Sequence, residues 1–168
     1  MRIAIIVEGD TEAAFLPRLC AFLQPRLAGA MPKLDPVRYD GRIPTGDRLR
    51  RDVERLLTDR KHPADAVIAL TDVYTGTHPP EFQDAADAKA KMRSWVGANA
   101  RFFPHAAQHD FEAWLLPYWD EIRSLAGHNQ ASPAASPETV NHMKPPAHRL
   151  RELFRAGSRG RAYVKTRS

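Results

Sequence analysis

Acidic residues follow three apolar runs of the sequence, and their types suit metal chemistry. Glu8 ends the first run and Asp72 ends the second, while His109, Asp110 and Glu112 follow the third. Carboxylates held close together repel one another unless a cation compensates their charge. Oxygen ligands suit Mg²⁺, which lowers the pKa of a bound water and stabilises charge on a phosphodiester. The pattern predicts a Mg²⁺ or Mn²⁺ site for phosphoryl-transfer or nuclease chemistry.

Each candidate has a role in this interpretation and a structural alternative. Glu8, Asp72 and His109 are the candidate catalytic groups, and Glu8, Asp72, Asp110 and Glu112 are the candidate metal ligands. A histidine is more often a hydrogen-bonded structural group than a base. Asp110 and Glu112 begin a helical pattern, where the helix dipole favours acids without any metal. Both interpretations stay open for these residues.

The residues after Glu8 carry signals for the start of a helix. Asp10 or Thr11 can cap the helix through a side-chain oxygen, and Glu12 can assist from the first turn. Gly9 permits a tight turn between strand and helix. We expect Gly9, Thr11 and Glu12 to serve the turn and the cap rather than the chemistry.

Strand and helix patterns alternate along the chain, which predicts an α/β fold with a mostly parallel sheet flanked by helices. In such sheets functional groups collect at the carboxyl ends of the strands. The predicted strands are 2–9, a short edge strand within 36–46, a strand within 64–76 whose apolar run ends at Asp72, and 100–110, with a strand fragment at 163–168. The predicted helices are 10–27, 46–61, 79–99, 110–126 and 147–157. The first is predicted to have an apolar stripe of Ala13, Phe15, Leu16, Leu19, Leu23 and Leu27. The second is predicted to turn Leu49, Val53, Leu56 and Leu57 inward and its arginines outward.

The composition indicates one globular domain with a bias toward anionic partners. The chain has 168 residues, a formal net charge of +5 and one cysteine, Cys20. One cysteine cannot form an internal disulfide, and no apolar run reaches the roughly 20 residues of a membrane span. These features predict a cytoplasmic protein without a membrane segment. The basic residues are densest at 48–57 and 149–168 and predict nucleic acid as partner, or alternatively a solvated surface.

Several catalytic and cofactor signatures are missing from the sequence. The acidic turn lacks the Gly-Lys-Ser/Thr ending of a phosphate-binding loop, and no dinucleotide glycine fingerprint or nucleophile elbow occurs. Histidine and cysteine form no close-spaced zinc pattern. The predicted chemistry therefore depends on the carboxylates.

Five segments together resemble an uncharacterised bacterial Toprim-like family of stand-alone proteins, a domain of unknown function related to the nuclease Toprim domains of OLD-family proteins. The segments are "IAIIVEGDTEAAFL", "ALTDVYTG", "QHDFEAWLL", "PETVNHMKPPAHRLRELF" and "YVK". The resemblance implies a Rossmann-like Toprim fold over residues 1–168 as a single domain. Because this family usually continues beyond the "YVK" segment, the domain is expected to be C-terminally truncated or divergent.

The resemblance also implies residue roles. Glu8 matches the glutamate that acts as general acid/base or metal-linked carboxylate, and Asp72 matches the first acid of a Mg²⁺-binding Asp-x-Asp pair. Tyr74 stands where the second acid is expected, and a phenol is a poor Mg²⁺ ligand at neutral pH. Asp110 or Glu112 would then have to supply the missing oxygen. Three basic residues match a segment that meets phosphate or lies in solvent: Lys144, Arg149 and Lys165.

Two functions follow from these observations. The first is a Mg²⁺-dependent nuclease or phosphoryl-transfer protein acting on nucleic acid, with DNA expected. By analogy with OLD-type proteins, it would work beside an ATPase in a bacterial defence system. The second is a non-catalytic Toprim-like protein that binds nucleic acid or a partner and has a degenerate metal site. Tyr74 favours the second function, and Glu8 with the segment 109–112 favours the first.

Overall fold

A four-stranded parallel sheet with strand order β2-β1-β3-β4 forms the centre of the fold. The computed structural model describes residues 1–73, 78–133, 136, 139–140, 144–158 and 162–163. The strands are β1 (Arg2–Val7), β2 (Lys33–Arg38), β3 (Ala66–Asp72) and β4 (Phe102–Ala107). This sheet and its flanking helices confirm the predicted α/β, Rossmann-like class.

Helices connect the strands and follow the last one. The α-helices are α1 (Asp10–Leu23), α2 (Gly46–Thr58), α3 (Ala85–Val96), α4 (Trp119–Ala126) and α5 (Pro146–Ala156). Two 3₁₀ segments, Gln24–Arg26 and Phe111–Tyr118, follow α1 and precede α4. No helix in the described part of the chain is long and apolar enough to cross a membrane.

The chain divides into two compact units. The first unit contains Met1–Thr71 and Ala86–Ala106, and the second contains Asp72–Ala85 and Ala107–Ser168. Each unit has its own cluster of buried apolar residues, around Ile5 and Val7 in the first unit and around Leu150 and Leu153 in the second. The single domain over 1–168 stays a prediction.

The first unit is built around β1, which has a neighbouring strand on each side. Its last four residues are buried, as a continuous apolar run predicts for a strand covered on both faces. Ile5 and Val7 pack with Leu16 of α1 in one cluster. Parallel pairing aligns Ile6 with Ala69 of β3, which fixes where the two strands end.

Helix α2 shows the predicted division between an apolar face and a charged face. The predicted inward residues are all buried, whereas the arginines at 48, 50, 51 and 55 are exposed. The buried residues are Leu49, Val53, Leu56 and Leu57. Burial of this stripe stabilises the helix more than the intrinsic propensity of its residues does.

Strand β2 is an edge strand, as predicted, and it begins at Lys33. Pro36 lies within it, which an edge strand tolerates because one side of its backbone needs no partner. The Arg2 guanidinium pairs with Asp35 at 2.5 Å (Nε to Oδ2), and the Arg2 backbone N–H donates to Asp65 at 2.6 Å. The hydrogen bond from Arg2 lowers the pKa of Asp35. Arg2 thus joins β1 to β2 and to the segment before β3.

A half-buried phenol, Tyr39, joins the end of β2 to α2. The Tyr39 hydroxyl donates to Asp52 Oδ2 at 2.7 Å, and the Tyr39 backbone N–H donates to the Val7 carbonyl at 3.0 Å. Burial, with a further contribution from Asp52, raises the pKa of Tyr39 to about 12. A raised folded-state pKa stabilises the fold fully below pH 10.0, the ordinary value, and this contribution is lost as the pH rises through about 12.

Tyr39→Phe is expected to remove one tyrosinate ionisation near pH 12 from the alkaline titration. The measurement is tyrosinate absorbance after a stopped-flow pH jump, so that ionisation is recorded before unfolding. Asp52→Asn removes the nearby charge and should shift this step to lower pH without abolishing it. Ionisation of Tyr39 near its ordinary value in the folded protein would contradict the assignment.

Three predicted helices differ from the structure, and the one over 79–99 begins only at Ala85. The predicted helix over 110–126 is a 3₁₀ segment up to Tyr118 and an α-helix only from Trp119. Pro117 explains the change, because proline lacks the N–H of an α-helical hydrogen bond and clashes with the preceding turn. In α1 Leu16 of the predicted apolar stripe is fully buried, Ala13 and Leu19 are half-buried against the same cluster, and Leu27 is exposed beyond the helix. Helical periodicity therefore overestimated the buried face of α1.

The core of the second unit is formed by the 3₁₀ segment, α4 and α5. Its buried residues are Leu116, Trp119, Ala126, Val140, Leu150 and Leu153. The Trp119 indole N–H donates to the Gln130 carbonyl at 2.9 Å, which satisfies its polar atom. At the ends of α4 and α5 the backbones approach closely, since Ser158 donates through its backbone N–H to the Gly127 carbonyl.

Candidate functional site

Glu8 is held at the carboxyl end of β1 by a residue of β3. The Thr71 hydroxyl donates to Glu8 Oε1 at 2.5 Å, and Thr71 is itself buried. The register that aligns Ile6 with Ala69 brings Glu8 level with Thr71 two residues further on. The position of the Glu8 carboxylate therefore follows from the pairing of the two strands. Ionised carboxylates accept up to about four bonds, so this contact is compatible with a metal ligand.

The backbone around Glu8 is fixed by the segment after β2. The Glu8 carbonyl accepts from the Gly41 N–H at 3.1 Å, and the preceding carbonyl of Val7 accepts from Tyr39. These backbone hydrogen bonds limit the positions available to the Glu8 Cα, from which the side chain extends. Glu8 is half-buried, and both its backbone carbonyl and its carboxylate accept hydrogen bonds.

The acidic turn after Glu8 mainly builds the start of α1. Gly9 occupies the N-cap position, and its N–H donates to Glu12 Oε2 at 3.1 Å, as in one half of a capping box. Asp10 is the first helical residue and pairs with Arg38 at 2.7 Å (Nη1 to Oδ1). Thr11 is half-buried within the first turn. The cap position is thus Gly9 rather than Asp10 or Thr11.

Asp72 is the last residue of β3 and is half-buried. The Val73 backbone N–H donates to the Ala107 carbonyl at 3.0 Å, which continues the β3–β4 pairing past Asp72. Tyr74, at the position expected for a second acid, lies outside the described residues. That Tyr74 stands in the place of a metal-binding acid stays a prediction.

His109 and Asp110 are buried in the second unit just after β4. Asp110 Oδ2 accepts from the Ala147 backbone N–H at 3.1 Å, in the first turn of α5. A carboxylate at this end of a helix interacts favourably with the helix dipole and satisfies an otherwise unmatched N–H. Asp110 therefore stabilises a helix start, as the alternative without a metal predicts. The helix is α5, which is distant in sequence, and not the 3₁₀ segment that follows Asp110.

Glu112 is 0% exposed, which is rare for a carboxylate. Its Oε1 accepts from the Tyr163 hydroxyl at 2.9 Å. Burial, followed by the charge of Glu112, raises the pKa of Tyr163, so the phenol remains a donor through the neutral range. This contact gives Glu112 a structural role in the second unit, and its role as a metal ligand stays a prediction.

The three predicted phosphate-binding residues have different surroundings. Lys144 pairs with Glu152 at 2.7 Å (Nζ to Oε2), and this hydrogen bond lowers the pKa of Glu152. Arg149 is half-buried on α5, and Lys165 lies outside the described residues. The charge of Lys144 is therefore partly compensated by Glu152.

Among the described residues no group of three or more His, Cys, Asp or Glu side chains could hold a metal ion. The structure thus gives no protein cage of the predicted four-carboxylate kind within that part of the chain. Mg²⁺ does not require one, because it keeps several waters and binds through one or two carboxylates plus substrate phosphates. A site of two carboxylates is the form compatible with this finding.

Two contacts of the candidate residues were not predicted from the sequence. Thr71 could have been found, because aligning two parallel apolar runs at their acidic ends places Glu8 beside residue 71 or 72. Tyr163 offered no such signal. Its contact with Glu112 joins residues 51 positions apart and depends on tertiary packing.

The fold and the residues at its strand ends define a Rossmann-like α/β protein with an ordered carboxylate after β1. The chain belongs to the family described as Domain of unknown function (DUF4276), whose model matches residues 7–168. No curated protein and no solved structure matches it. Membership of an uncharacterised family is as predicted, and a relation to Toprim domains stays a prediction.

Proposed function

We propose that this protein is a divalent-cation-dependent phosphoryl-transfer protein that cleaves nucleic acid. The observation that supports this most is the Glu8 carboxylate, which Thr71 orients at the carboxyl end of β1. In open parallel sheets this edge is where ligands bind. Asp72, the last residue of β3, is the second acid of the proposed site.

Glu8 and Asp72 are the residues proposed to hold Mg²⁺ or Mn²⁺. Such an ion would supply a more acidic bound water and would stabilise charge on a phosphodiester. Thr71 would keep the Glu8 carboxylate in one orientation, because its hydroxyl donates to Oε1. The hydrogen bonds from Tyr39 and Gly41 would limit movement of the strand end when substrate binds.

His109 remains the proposed general base, and Asp110 and Glu112 remain proposed ligands of lower priority. Asp110 and Glu112 already accept hydrogen bonds from Ala147 and Tyr163, so a metal would have to share these oxygens. Glu8 likewise accepts a hydrogen bond at Oε1, from Thr71, and an ionised carboxylate can accept several bonds at once.

The proposed substrate is DNA, and the proposed biological setting is bacterial defence beside an ATPase. A net charge of +5 supports a polyanionic substrate. The resemblance of the "VEGDTE" and "TDVY" segments to Toprim-like proteins supports nuclease chemistry, and OLD-type nucleases supply the analogy for the ATPase.

A second candidate is a non-catalytic Toprim-like protein that binds nucleic acid or a protein partner. The observation that favours it is the finding that no described group of three acids, histidines or cysteines could hold a metal. Binding without cleavage, in the presence of Mn²⁺, is the result that would select this candidate.

Metal binding by the Glu8–Asp72 pair is tested by thermal unfolding with and without Mg²⁺ or Mn²⁺. At about 100 times Kd the ion should raise the free energy of unfolding by ~2.7 kcal/mol, and Tm by roughly 5–10 °C. Glu8→Gln and Asp72→Asn should each abolish most of this rise. Glu54→Gln is the matched control, because Glu54 is an exposed acid on α2.

Cleavage is then measured on plasmid and single-stranded DNA with Mn²⁺. Glu8→Gln should lower the rate at least ~100-fold if its carboxylate acts at the reacting phosphate. An undiminished Tm rise in both Glu8→Gln and Asp72→Asn would refute the proposed metal site. Metal binding without cleavage would refute only the enzymatic proposal.

A further inference from the structure

The Glu8 carboxylate lies on the face of the sheet opposite α1. Ile5 and Val7 of β1 pack against α1, and side chains alternate along a strand, so the next residue, Glu8, extends to the other face. On β3, Leu70 packs against the same α1 cluster, so Thr71 also belongs to the other face. The hydrogen bond from Thr71 to Glu8 Oε1 joins the two side chains there. Both are therefore displayed on one face, at the carboxyl end of the strands.

Tyr39 lies on the same face, on the other side of Glu8 from Thr71. One residue beyond its last pair, the β1–β2 register brings Tyr39 beside Glu8, at the ~4.8 Å spacing of neighbouring strands. The Tyr39 hydroxyl donates to Asp52 at 2.7 Å, which places α2 over this face of the sheet. Glu8 thus lies in a row between Tyr39 and Thr71, and α2 is the helix next to this row.

The Tyr39 ring carries a guanidinium at the start of α2. The guanidinium carbon of Arg48 lies 5.9 Å from the centroid of the Tyr39 ring, within the range of a cation–π contact. Arg48 is exposed, and among the described residues no acid pairs with it. The ring faces one side of the guanidinium and leaves its N–H donors, which lie in the guanidinium plane, for a ligand. A cation with this arrangement, one residue away from Glu8 across Tyr39, suits an anion that reaches the Glu8 site.

Arg48 is the first of three arginines along one side of α2. Arg51 and Arg55 follow it by three and seven positions, which is the spacing of residues on one helix face. At 1.5 Å per residue the three extend about 10 Å along the helix axis. Arg55 is partly compensated by Asp52 at 3.6 Å (Nη2 to Oδ1), whereas Arg48 and Arg51 have no ion pair within the described ranges. Since phosphates of one strand follow each other every ~3.4 Å along a duplex axis, this row spans about three phosphates and not one.

We propose that the α2 arginine row, Arg48, Arg51 and Arg55, binds the backbone of a nucleic-acid strand that extends from the Glu8 site along α2. This inference rests on the proposed function, in which a phosphodiester reacts at Glu8, and it specifies the substrate as a strand of several nucleotides and not a mononucleotide. Arginine suits this role because its planar fork of donors matches two oxygens of a phosphate. An acidic peptide could meet the same cations, but it offers no phosphodiester to the Glu8 site.

The test is fluorescence anisotropy of the full chain with fluorescein-labelled oligothymidylates of two and eight nucleotides in EDTA, at several salt concentrations. The longer strand should bind at least ~10-fold more tightly, because only it has enough phosphates for the whole row. Arg48→Gln with Arg51→Gln should weaken binding of the longer strand at least ~10-fold, the loss expected for charge-assisted hydrogen bonds. The slope of log K against log salt should fall by about 1.4, which corresponds to two phosphate contacts on a single strand.

A matched variant separates the α2 arginine row from general positive charge. Arg18→Gln with Arg101→Gln removes the same net charge at exposed positions of the same unit, on α1 and before β4. This control should weaken binding less than about threefold, because exposed charges away from the strand act only through screened long-range attraction. Circular dichroism melts check that both double variants fold.

Cleavage in Mn²⁺ distinguishes failure of this inference from failure of the proposed function. In a wild type that cleaves, Arg48→Gln with Arg51→Gln should raise KM at least ~10-fold and lower kcat less than about threefold, because the row binds the strand away from the reacting phosphate. A wild type that binds through the row in EDTA but never cleaves would refute the proposed function and leave the row established.

Three outcomes would overturn the inference itself. These are equal loss of binding in the two double variants, equal affinity for the two strand lengths, and equal competition by polyglutamate and oligothymidylate at matched charge. The last would indicate an acidic polypeptide as partner. Because EDTA removes divalent ions, these binding measurements do not depend on the Glu8–Asp72 metal site.

Discussion

Gly157→Ala is expected to lower the free energy of unfolding by about 3 kcal/mol, the upper part of the usual range for overpacking. A Cβ at this position would lie 2.0 Å from the Ala126 carbonyl oxygen and 2.8 Å from its carbon. These are backbone atoms and cannot move away as a flexible side chain can. Alanine can therefore be accommodated only if the end of α4 separates from the end of α5.

The expected loss of stability comes from the steric contact of the added Cβ and not from strain in the backbone dihedral angles. Gly157 has a φ of −72°, which any residue adopts readily. Separation would also stretch the Ser158 bonds to the Gly127 carbonyl, which are 3.2 Å from the backbone N–H and 3.0 Å from the hydroxyl. Glycine is required at position 157 because the backbone of Ala126, at the end of α4, lies where a larger residue would place its Cβ.

Urea unfolding followed by circular dichroism measures this effect, with Gly29→Ala as the control. A Cβ at Gly29 would have no atom within 4 Å, and the residue has no positive φ. Its replacement should change stability by less than about 0.5 kcal/mol. If Gly157→Ala and Gly29→Ala have the same midpoint, the close approach of α4 and α5 is wrong.

The sequence predicted those parts of the fold that depend on local patterns. The run ending at Val7 and the stripe Leu49, Val53, Leu56 and Leu57 have one strong periodicity each, and both are buried as expected. The segment 110–126 was less predictable, because its apolar residues fit an α-helix while Pro117 opposes one. Proline alone does not decide the outcome, because Pro17 lies inside α1 and that helix continues to Leu23.

The candidate site could be predicted only in outline. Placing acids at strand ends needs only the strand order, and Glu8 does emerge beside β3. The partners of Asp110 and Glu112 could not be predicted, because Ala147 and Tyr163 reach them through packing of distant segments. Phe103 lies within the predicted strand 100–110, and a strand prediction alone does not reveal which face of an edge strand stays exposed.

Tyr163→Phe is expected to lower the free energy of unfolding by about 2 kcal/mol, as for a hydrogen bond to a charged group. The hydroxyl donates to Glu112, and a fully buried carboxylate that loses a donor retains its desolvation cost. Phenylalanine preserves the ring, whose centroid lies 5.8 Å from that of Phe154. The variant thus isolates the hydroxyl from the apolar packing.

The measurement is chemical unfolding at neutral pH, and Tyr118→Phe is the control. Tyr118 is 62% exposed, so removal of its hydroxyl should cost less than about 0.5 kcal/mol. In a Glu112→Gln background the cost of Tyr163→Phe should fall to about 1 kcal/mol, because a neutral acceptor makes a weaker bond. The resulting coupling energy measures the pair and not either residue alone.

The same double-mutant cycle distinguishes the two roles considered for Glu112. A structural carboxylate couples to Tyr163 equally with and without Mn²⁺, because its oxygen stays with the phenol. A metal-ligating carboxylate would couple more weakly in Mn²⁺, since the ion and the hydroxyl would compete for Oε1. Because Glu112 is fully buried and bonded to Tyr163, we expect equal coupling in both conditions, and loss of most of the ~1 kcal/mol coupling in Mn²⁺ would place Glu112 at the metal.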